Sequence, residues 1–364
     1  MGNPDEFTFE KLLFQKSWGD YTRYVEESQM ILEQEIKENV KNEKQFVKEI
    51  RESEEFKRLD VKGFNAEKLA WASRNLKEGN VIGIDGTRSL YQLFSGVRCQ
   101  IGVVAVNYVG ERIEKSFFVS EALYREESGD VVKRIKDRIE SSEDISDFAL
   151  RGLMSYRERE MGLEPKFANR YKMFHGSLIP FEMLTELGRL KAFKINITLL
   201  QRLIDDKKCF SVVSQSNDKS LYYFGLAMDE GQYASVPGYN YGKLLANKKD
   251  FLVREKWEAK DWDLIQEFIK NYAERIKIGI IKVNKHRPYV FQAYEDIFDE
   301  AAHIIASDSM FQKEKGFPLL IDYADTLCSE YFSSSQFSKR MEWQLAKEDA
   351  FLTESSERGR RKKR

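Results

Sequence analysis

Asp85 is the residue with the most chemistry to offer. It closes an apolar run, Val81-Ile-Gly-Ile84, and is followed directly by Gly86, Thr87 and Arg88. An ionised carboxylate at the end of a buried strand needs a partner, because burying a lone charge is costly. A divalent cation is one such partner. A plain Asp-Gly turn, with the carboxylate in water, is the other reading the dipeptide allows. Other chemistries find no anchor. Gly238-Tyr-Asn-Tyr-Gly-Lys243 is one residue short of a Walker A loop, and Leu244 stands where Ser or Thr would hold magnesium. Neither GxGxxG nor GxSxG occurs, and His175, His286 and His303 form no HExxH. Cys99, Cys209 and Cys328 lie about 110 residues apart with no CxxC, which excludes a zinc finger. Their odd number argues against a disulfide framework and for buried thiols in a reducing cytoplasm.

The elements that must position Asp85 follow from hydrophobic patterning. Asn80 to Leu90 reads as a strand ending in the Asp-Gly, Arg98 to Val109 as a second, and Arg112 to Val119 as a third. Their short connections predict an antiparallel meander. A helical stretch from about Val131 to Met161 follows, then a strand at Lys172 to Leu178, a helix from Phe181 to about Leu203 and a strand at Cys209 to Ser214. Met183, Leu184, Leu187, Leu190, Phe193, Ile197 and Leu200 keep close to helical spacing and belong to the core. Gly225 to Asp250, rich in Gly, Tyr and Asn, reads as a surface loop, and Ile276 to Val283 as a further strand. Helices at about Phe291 to Ile305, Leu320 to Phe332 and Gln336 to Leu352 close the chain. Strands followed by strand–helix–strand predict an α/β fold on a mixed sheet.

Metal-dependent nucleases of the RNase H type begin with such a meander carrying such an Asp, and more specific motifs follow. Ile84-Asp-Gly-Thr87 is similar to the Asp-Gly-Ser that ends the first strand in the NurA family of nucleases, the partners of the hexameric HerA translocase. That family carries a Glu about 17 positions before a second Asp-Gly-Ser-Leu; here His175-Gly-Ser-Leu178 resembles the second motif, and Glu158 stands 17 positions earlier. Phe317-Pro-Leu-Leu-Ile-Asp-Tyr-Ala-Asp325 resembles the family's C-terminal Tyr-Pro-x-x-Leu-x-x-Ala-His. The resemblance spans roughly residues 78 to 335. It implies an RNase H-like α/β fold in which Asp85, Glu158, His175 and Asp325 are catalytic residues and ligands of Mn²⁺ or Mg²⁺. Two ions about 3.5–4 Å apart would then drive phosphodiester hydrolysis. It further implies a homodimeric 5′-to-3′ exonuclease and single-strand endonuclease, fed by a HerA-like ATPase in DNA end processing or defence against invading DNA. His175 stands where the family has Asp and Asp325 where it has His, as if two ligands of one metal were exchanged. Phe317 replaces a Tyr, and Gln215 replaces a frequent Lys. These departures also suit a degenerate adaptor that docks on the motor and binds DNA without cutting. Glu160 is an alternative to Glu158, since residues two apart lie about 200° apart around a helix and only one can point inward.

Composition sets the outer limits. Of 364 residues, 42% are hydrophobic, which supports a sizeable core, and 59 basic against 60 acidic side chains leave a net charge of −1. A globally basic nucleic-acid coat is therefore excluded, and any nucleic-acid contact must be local. No apolar run reaches the ~18 residues of a membrane span, and the start MGNPDEF has neither the basic and apolar regions of a secretory signal nor a myristoylation pattern. The expected organisation is a helical arm over 1–77, the nuclease domain over 78–335, a C-terminal helix over 336–357 and a basic tail over 358–364. The arm either contacts a partner or lies along the main domain. The tail, Arg-Gly-Arg-Arg-Lys-Lys-Arg, carries six positive charges, so the rest of the chain sits at −7; it is either a solvated end or a DNA tether.

Overall fold

A computed structural model of the chain describes residues 21–93, 96–120, 147–184, 193–214, 218–246 and 258–348. The chain divides into two compact units, Met1–Lys57 and Arg58–Arg364. In the first, helix α1 (Tyr21–Glu52) and the single turn α2 (Glu54–Lys57) are charged helices with little burial. Met30, Leu32, Ile36 and Val40 are exposed on α1.

The second unit is built on one nine-stranded sheet in the order β1-β7-β8-β9-β6-β5-β2-β3-β4. Strand β1 (Asp60–Gly63) and helix α3 (Ala66–Lys77) open it, so both belong to this unit. The meander β2 (Val81–Leu93), β3 (Gly96–Val106) and β4 (Arg112–Ser120) is antiparallel throughout. After α4 (Asp147–Gly162), β5 (Tyr171–His175) pairs parallel with β2. After α5 (Phe193–Asp205), β6 (Cys209–Val213) pairs parallel with β5. An antiparallel meander followed by two parallel strands is the RNase H-like order. The sheet then extends through β9 (Tyr289–Tyr294), β8 (Ile276–Lys282) and β7 (Gln232–Asn240), all antiparallel. The remaining helices are α6 (Lys219–Ala227), α7 (Tyr241–Ala246), α8 (Ala259–Asn271), α9 (Phe298–Ser309), α10 (Leu319–Tyr331) and α11 (Ser334–Lys347). The three cysteines are buried free thiols.

Strand β2 is the spine of the site, and two of its glycines set how closely the helices approach. Val81, Ile82 and Ile84 are fully buried. A Cβ added at Gly83 would stand 2.7 Å from Leu320 Cγ and 2.8 Å from the Leu320 carbonyl oxygen, so α10 lies directly on the backbone. A Cβ at Gly86 would stand 2.5 Å from Glu158 Oε1 on α4. Side chains alternate along a strand, so α10 and α4 cover opposite faces of β2.

Several sequence expectations are corrected. Asp85 does not end its strand: β2 runs on for eight residues to Leu93, because Gly86 has ordinary strand geometry and faces Val103 rather than turning. The described part of the expected surface loop Gly225 to Asp250, Gly225 to Ala246, is not a loop. Residues 219–246 form helix, strand and helix, and Tyr233 and Ala234 are buried where β7 joins the sheet. The helix expected from Phe291 starts only at Phe298, since Tyr289 to Tyr294 form a buried strand. A segment buried at every position, its one polar residue Gln292 included, has no period to separate the two states. The strand expected to reach Leu178 stops at His175, and Phe181 to Leu184 form a single 3₁₀ turn. Residues 131–146, Leu187, Leu190, Gln215 and the basic tail lie outside the described residues.

Candidate active site

The register of the parallel strands brings the first two functional side chains together. Ile84 pairs with Phe174, which puts Asp85 and His175 side by side at the level where β5 ends. In sheets of this kind ligands bind beyond the carboxyl ends of the parallel strands. Gly176 then takes a left-handed backbone, φ 81°, and turns the chain away from the sheet, leaving the His175 ring at that end. Phe174 pairs with Ser211 and His175 with Val212, so Ser214, just past β6, reaches the same end. His175 Nδ1 is 3.3 Å from Asp85 Oδ1, and its Nε2 is 3.0 Å from Ser214 Oγ. The Gly86 amide donates to Asp85 Oδ1 at 2.9 Å. The Phe317 ring lies edge-on to the imidazole, 5.7 Å between centroids.

Glu158 enters from α4. It is 5% exposed and packs over the bare backbone of Gly86, while its Oε2 accepts from the Arg159 guanidinium. Arg159 is 1% exposed, also donates to the carbonyls of Ser177 and Leu178, and lies 5.0 Å from the Phe174 ring centroid. Buried arginine is tolerated where its donor fork is satisfied in this way. Glu160, in contrast, faces outward and pairs with Arg157. Asp325 is exposed on α10 at the rim of the cluster. The same helix is tied to β2 where Cys328 Sγ donates to the Asp85 carbonyl oxygen at 3.3 Å.

The electrostatics tie the four residues together. Burial lifts the Glu158 carboxyl to about 7; Asp85 pushes the same way, while Arg159 and His175 hold it down. Burial opposes charging of His175, yet its hydrogen bond to Asp85 and the charges of Asp85, Glu158 and Asp325 raise it above the usual histidine value. Although exposed at the rim, the Asp325 carboxyl loses part of its water against the sheet, and this and the charge of Asp85 raise it, with His175 acting against both. Asp85 and His175 are thus in direct contact, and Glu158, buried over Gly86, and Asp325, on α10, are coupled to them through the field.

Three carboxylates and an imidazole suit Mn²⁺ or Mg²⁺ chemically. Their arrangement is less ready. Among the described residues no three His, Cys, Asp or Glu side chains are placed to hold a metal ion. Glu158 is turned to Arg159, and both ring nitrogens of His175 are engaged. Arg159 and Ser214 were not singled out from the sequence. An Arg flanked by two Glu reads as a solvated helix face, and a lone Ser after a strand carries no signal.

No protein-family model matches the chain, and no match to a curated protein is found. Solved structures do match. The NurA nuclease from Sulfolobus solfataricus superposes with a TM-score of 0.52 at 12% identity, covering 88% of this chain and 97% of that one. A NurA bound to dAMP and manganese gives a TM-score of 0.41 at 11% identity, over 84% and 93% of the two chains. Endonuclease V from Bacillus subtilis gives 0.35 at 10% identity, over 76% and 95%. The chain has the fold of the NurA nuclease, and at 12% identity the likeness is one of fold.

Proposed function

We propose that the chain is a metal-dependent DNA nuclease. The observation that carries the reading is the contact of the buried Asp85 carboxylate with His175 at the carboxyl end of the parallel strands, with Glu158 buried over the next residue of the same strand, Gly86. A fold does not by itself specify an activity, so the site bears the weight. Asp85, Glu158, His175 and Asp325 would hold Mn²⁺ or Mg²⁺, which when bound supplies an activated water and neutralises charge on a phosphodiester, in the two-metal manner. Arg159 fixes the Glu158 carboxylate against Gly86 and keeps it from water. His175 touches Asp85 at one ring nitrogen and Ser214 at the other, so binding an ion through either nitrogen would replace that contact while the other keeps the ring oriented. Phe317 shields one side of the ring.

By its resemblance to the NurA family the enzyme would be a homodimer that degrades DNA from 5′ to 3′ and cuts single strands, supplied by a HerA-like hexameric ATPase. Repair or defence would be its setting. Exposed Leu32, Ile36 and Val40, spaced four apart along one stripe of α1, suit a contact between two copies. Among the described residues no helix is long and apolar enough to cross a membrane. A second reading, a degenerate adaptor that binds DNA without cutting, is favoured by one observation: among the described residues no three potential ligands are positioned for an ion. Incubating the purified protein with linear DNA and Mn²⁺ separates the two. Cleavage by the parent and none by a folded Asp85→Asn variant is the expected result. No cleavage by the parent, with the HerA-like ATPase also present, leaves the adaptor.

A further inference from the structure

Beside the acidic cluster, at the same end of the sheet, is a cleft of about 230 Å³ lined by Ser214, Tyr222, Arg287, Pro288 and Tyr289 among others. Ser214 is shared: its hydroxyl meets His175, and its carbonyl accepts from Arg287 Nη2 at 3.0 Å. The pairing of Val213 with Val290 explains the placement, since β9 runs antiparallel to β6 and its first residues meet the last of β6. Helix α6 forms the opposite wall. A Cβ at Gly225 would stand 2.4 Å from Pro288 Cβ, so α6 sits close against the start of β9. That brings Tyr222, one turn earlier and 40% exposed, to the cleft.

The basic turn Lys285-His286-Arg287 is held in place rather than left loose. Asn284, 4% exposed, accepts from the amides of His286 and Arg287 at 2.9 Å and donates to the carbonyls of Lys313 and Glu314. The Arg287 guanidinium lies 5.2 Å from the Tyr289 ring centroid. The cleft thus offers a fixed cation, an exposed phenol ring and apolar walls next to a carboxylate cluster. Its volume is below the ~300–1,000 Å³ of a pocket for a larger ligand, which suits one planar ring. A purely apolar ligand would waste the cation, and an inorganic anion would leave the ring and walls unused. A nucleotide carries both, an anionic phosphate and a flat base.

Resting on the nuclease reading for the role of the neighbouring cluster, we propose that this cleft is a single-strand DNA subsite. It takes the nucleotide adjacent to the bond being cut, with its phosphate on Arg287 and its base against Tyr222. Stacking of this type is tolerant of sequence, as a nuclease acting on any end requires.

The test is binding of a fluorescent (dT)₁₂ to the full chain in EDTA, followed by anisotropy, which is independent of cleavage. Tyr222→Ala is expected to weaken binding about fivefold or more, and Tyr222→Phe to restore it. Arg287→Gln is expected to reduce the slope of log K against log salt by about 0.7, the share of one phosphate contact on a single strand. Arg287→Lys, which keeps the charge, is expected to retain that slope. Unchanged binding in both Tyr222→Ala and Arg287→Gln, or no binding of (dT)₁₂ by the parent, overturns the subsite. Cleavage with Mn²⁺ is scored separately. A parent that cuts while the variants bind as it does refutes the subsite alone. A parent that never cuts, yet loses (dT)₁₂ affinity on both substitutions, refutes the nuclease reading and keeps the subsite.

Discussion

Gly86→Ala is the smallest change that tests how the site is built. The added methyl carbon would stand 2.5 Å from Glu158 Oε1, 3.0 Å from Cγ and 3.1 Å from Cδ. Relief to an ordinary contact of ~3.5 Å requires the carboxylate to move by roughly 1 Å. It has little room to do so, because its other oxygen is held by Arg159, itself clamped to the Ser177 and Leu178 carbonyls. Overpacking of this kind costs about 1–3 kcal/mol, read as a fall in Tm of about 2–4 °C per kcal/mol for a unit of this size. A 1 Å displacement of a catalytic group costs on the order of 100-fold in rate. The assay is Mn²⁺-dependent DNA cleavage alongside thermal unfolding. Gly63→Ala is the control, since a Cβ there meets nothing within 4 Å. Adding Glu158→Asp shortens the side chain and should return part of the stability lost to Gly86→Ala, because residues in contact are non-additive. A Gly86→Ala protein with parental Tm and parental activity would refute the packing of Glu158 over β2.

Four further outcomes are expected. Asp85→Asn should abolish cleavage without unfolding the protein, measured by DNA degradation and circular dichroism. Arg159→Met should destabilise by about 3–5 kcal/mol in chemical denaturation, because Glu158 is left buried without its cation. The single exchanges His175→Asp and Asp325→His should each lose most activity, and the double exchange should keep more than either. An interaction energy of about 0.5–3 kcal/mol is expected if the two share an ion, and strict additivity would show that they do not. Burial raises the Asp308 carboxyl to about 7, against the hydrogen bonds it accepts from Tyr108 and the Leu320 amide. The folded protein therefore binds more protons there than the unfolded chain, and this stabilisation is complete below about pH 4 and lost as pH rises through 7. Asp308→Asn should flatten that part of the stability–pH curve, by about 4 kcal/mol at most, and an unchanged curve would show that Asp308 does not titrate in that range.

Much of the sheet was legible because its strands carry their own signals. Val81 to Ile84 and Ile101 to Val106 are apolar runs bounded by glycine or polar residues, and they form β2 and β3. The spacing that selects Glu158 has a physical counterpart, since Glu158 is buried over Gly86 while Glu160 faces outward to Arg157. Gly86 was misread because an Asp-Gly pair favours turns through positive φ, whereas here the glycine serves by lacking a Cβ. The β7 and β9 strands were missed for opposite reasons. Tyr289 to Tyr294 is buried throughout and shows no period, while β7 contains Pro237 and Gly238, which read as loop. Arg159, Ser214 and Arg287 act through partners distant in sequence, such as Ser177, His175 and Ser214 respectively, so no local pattern marks them.

The two sides of the site are joined mechanically as well as by proximity. Asn284 receives the amides of the basic turn on its carbonyl and gives its amide hydrogens to the carbonyls of Lys313 and Glu314. Gly316, at φ 66°, comes so close that a Cβ would stand 2.6 Å from Asn284 Nδ2. The next residue is Phe317, whose ring touches His175, and α10 with Asp325 begins two residues later. One buried amide side chain therefore sets the separation between Arg287 on one side and the His175 and Asp325 side on the other. Catalysis by positioning loses about two orders of magnitude for an ångström of error. A strand bound at Arg287 would thus present its next phosphodiester to the carboxylates at a distance fixed by the fold, with Asn284 as the spacer.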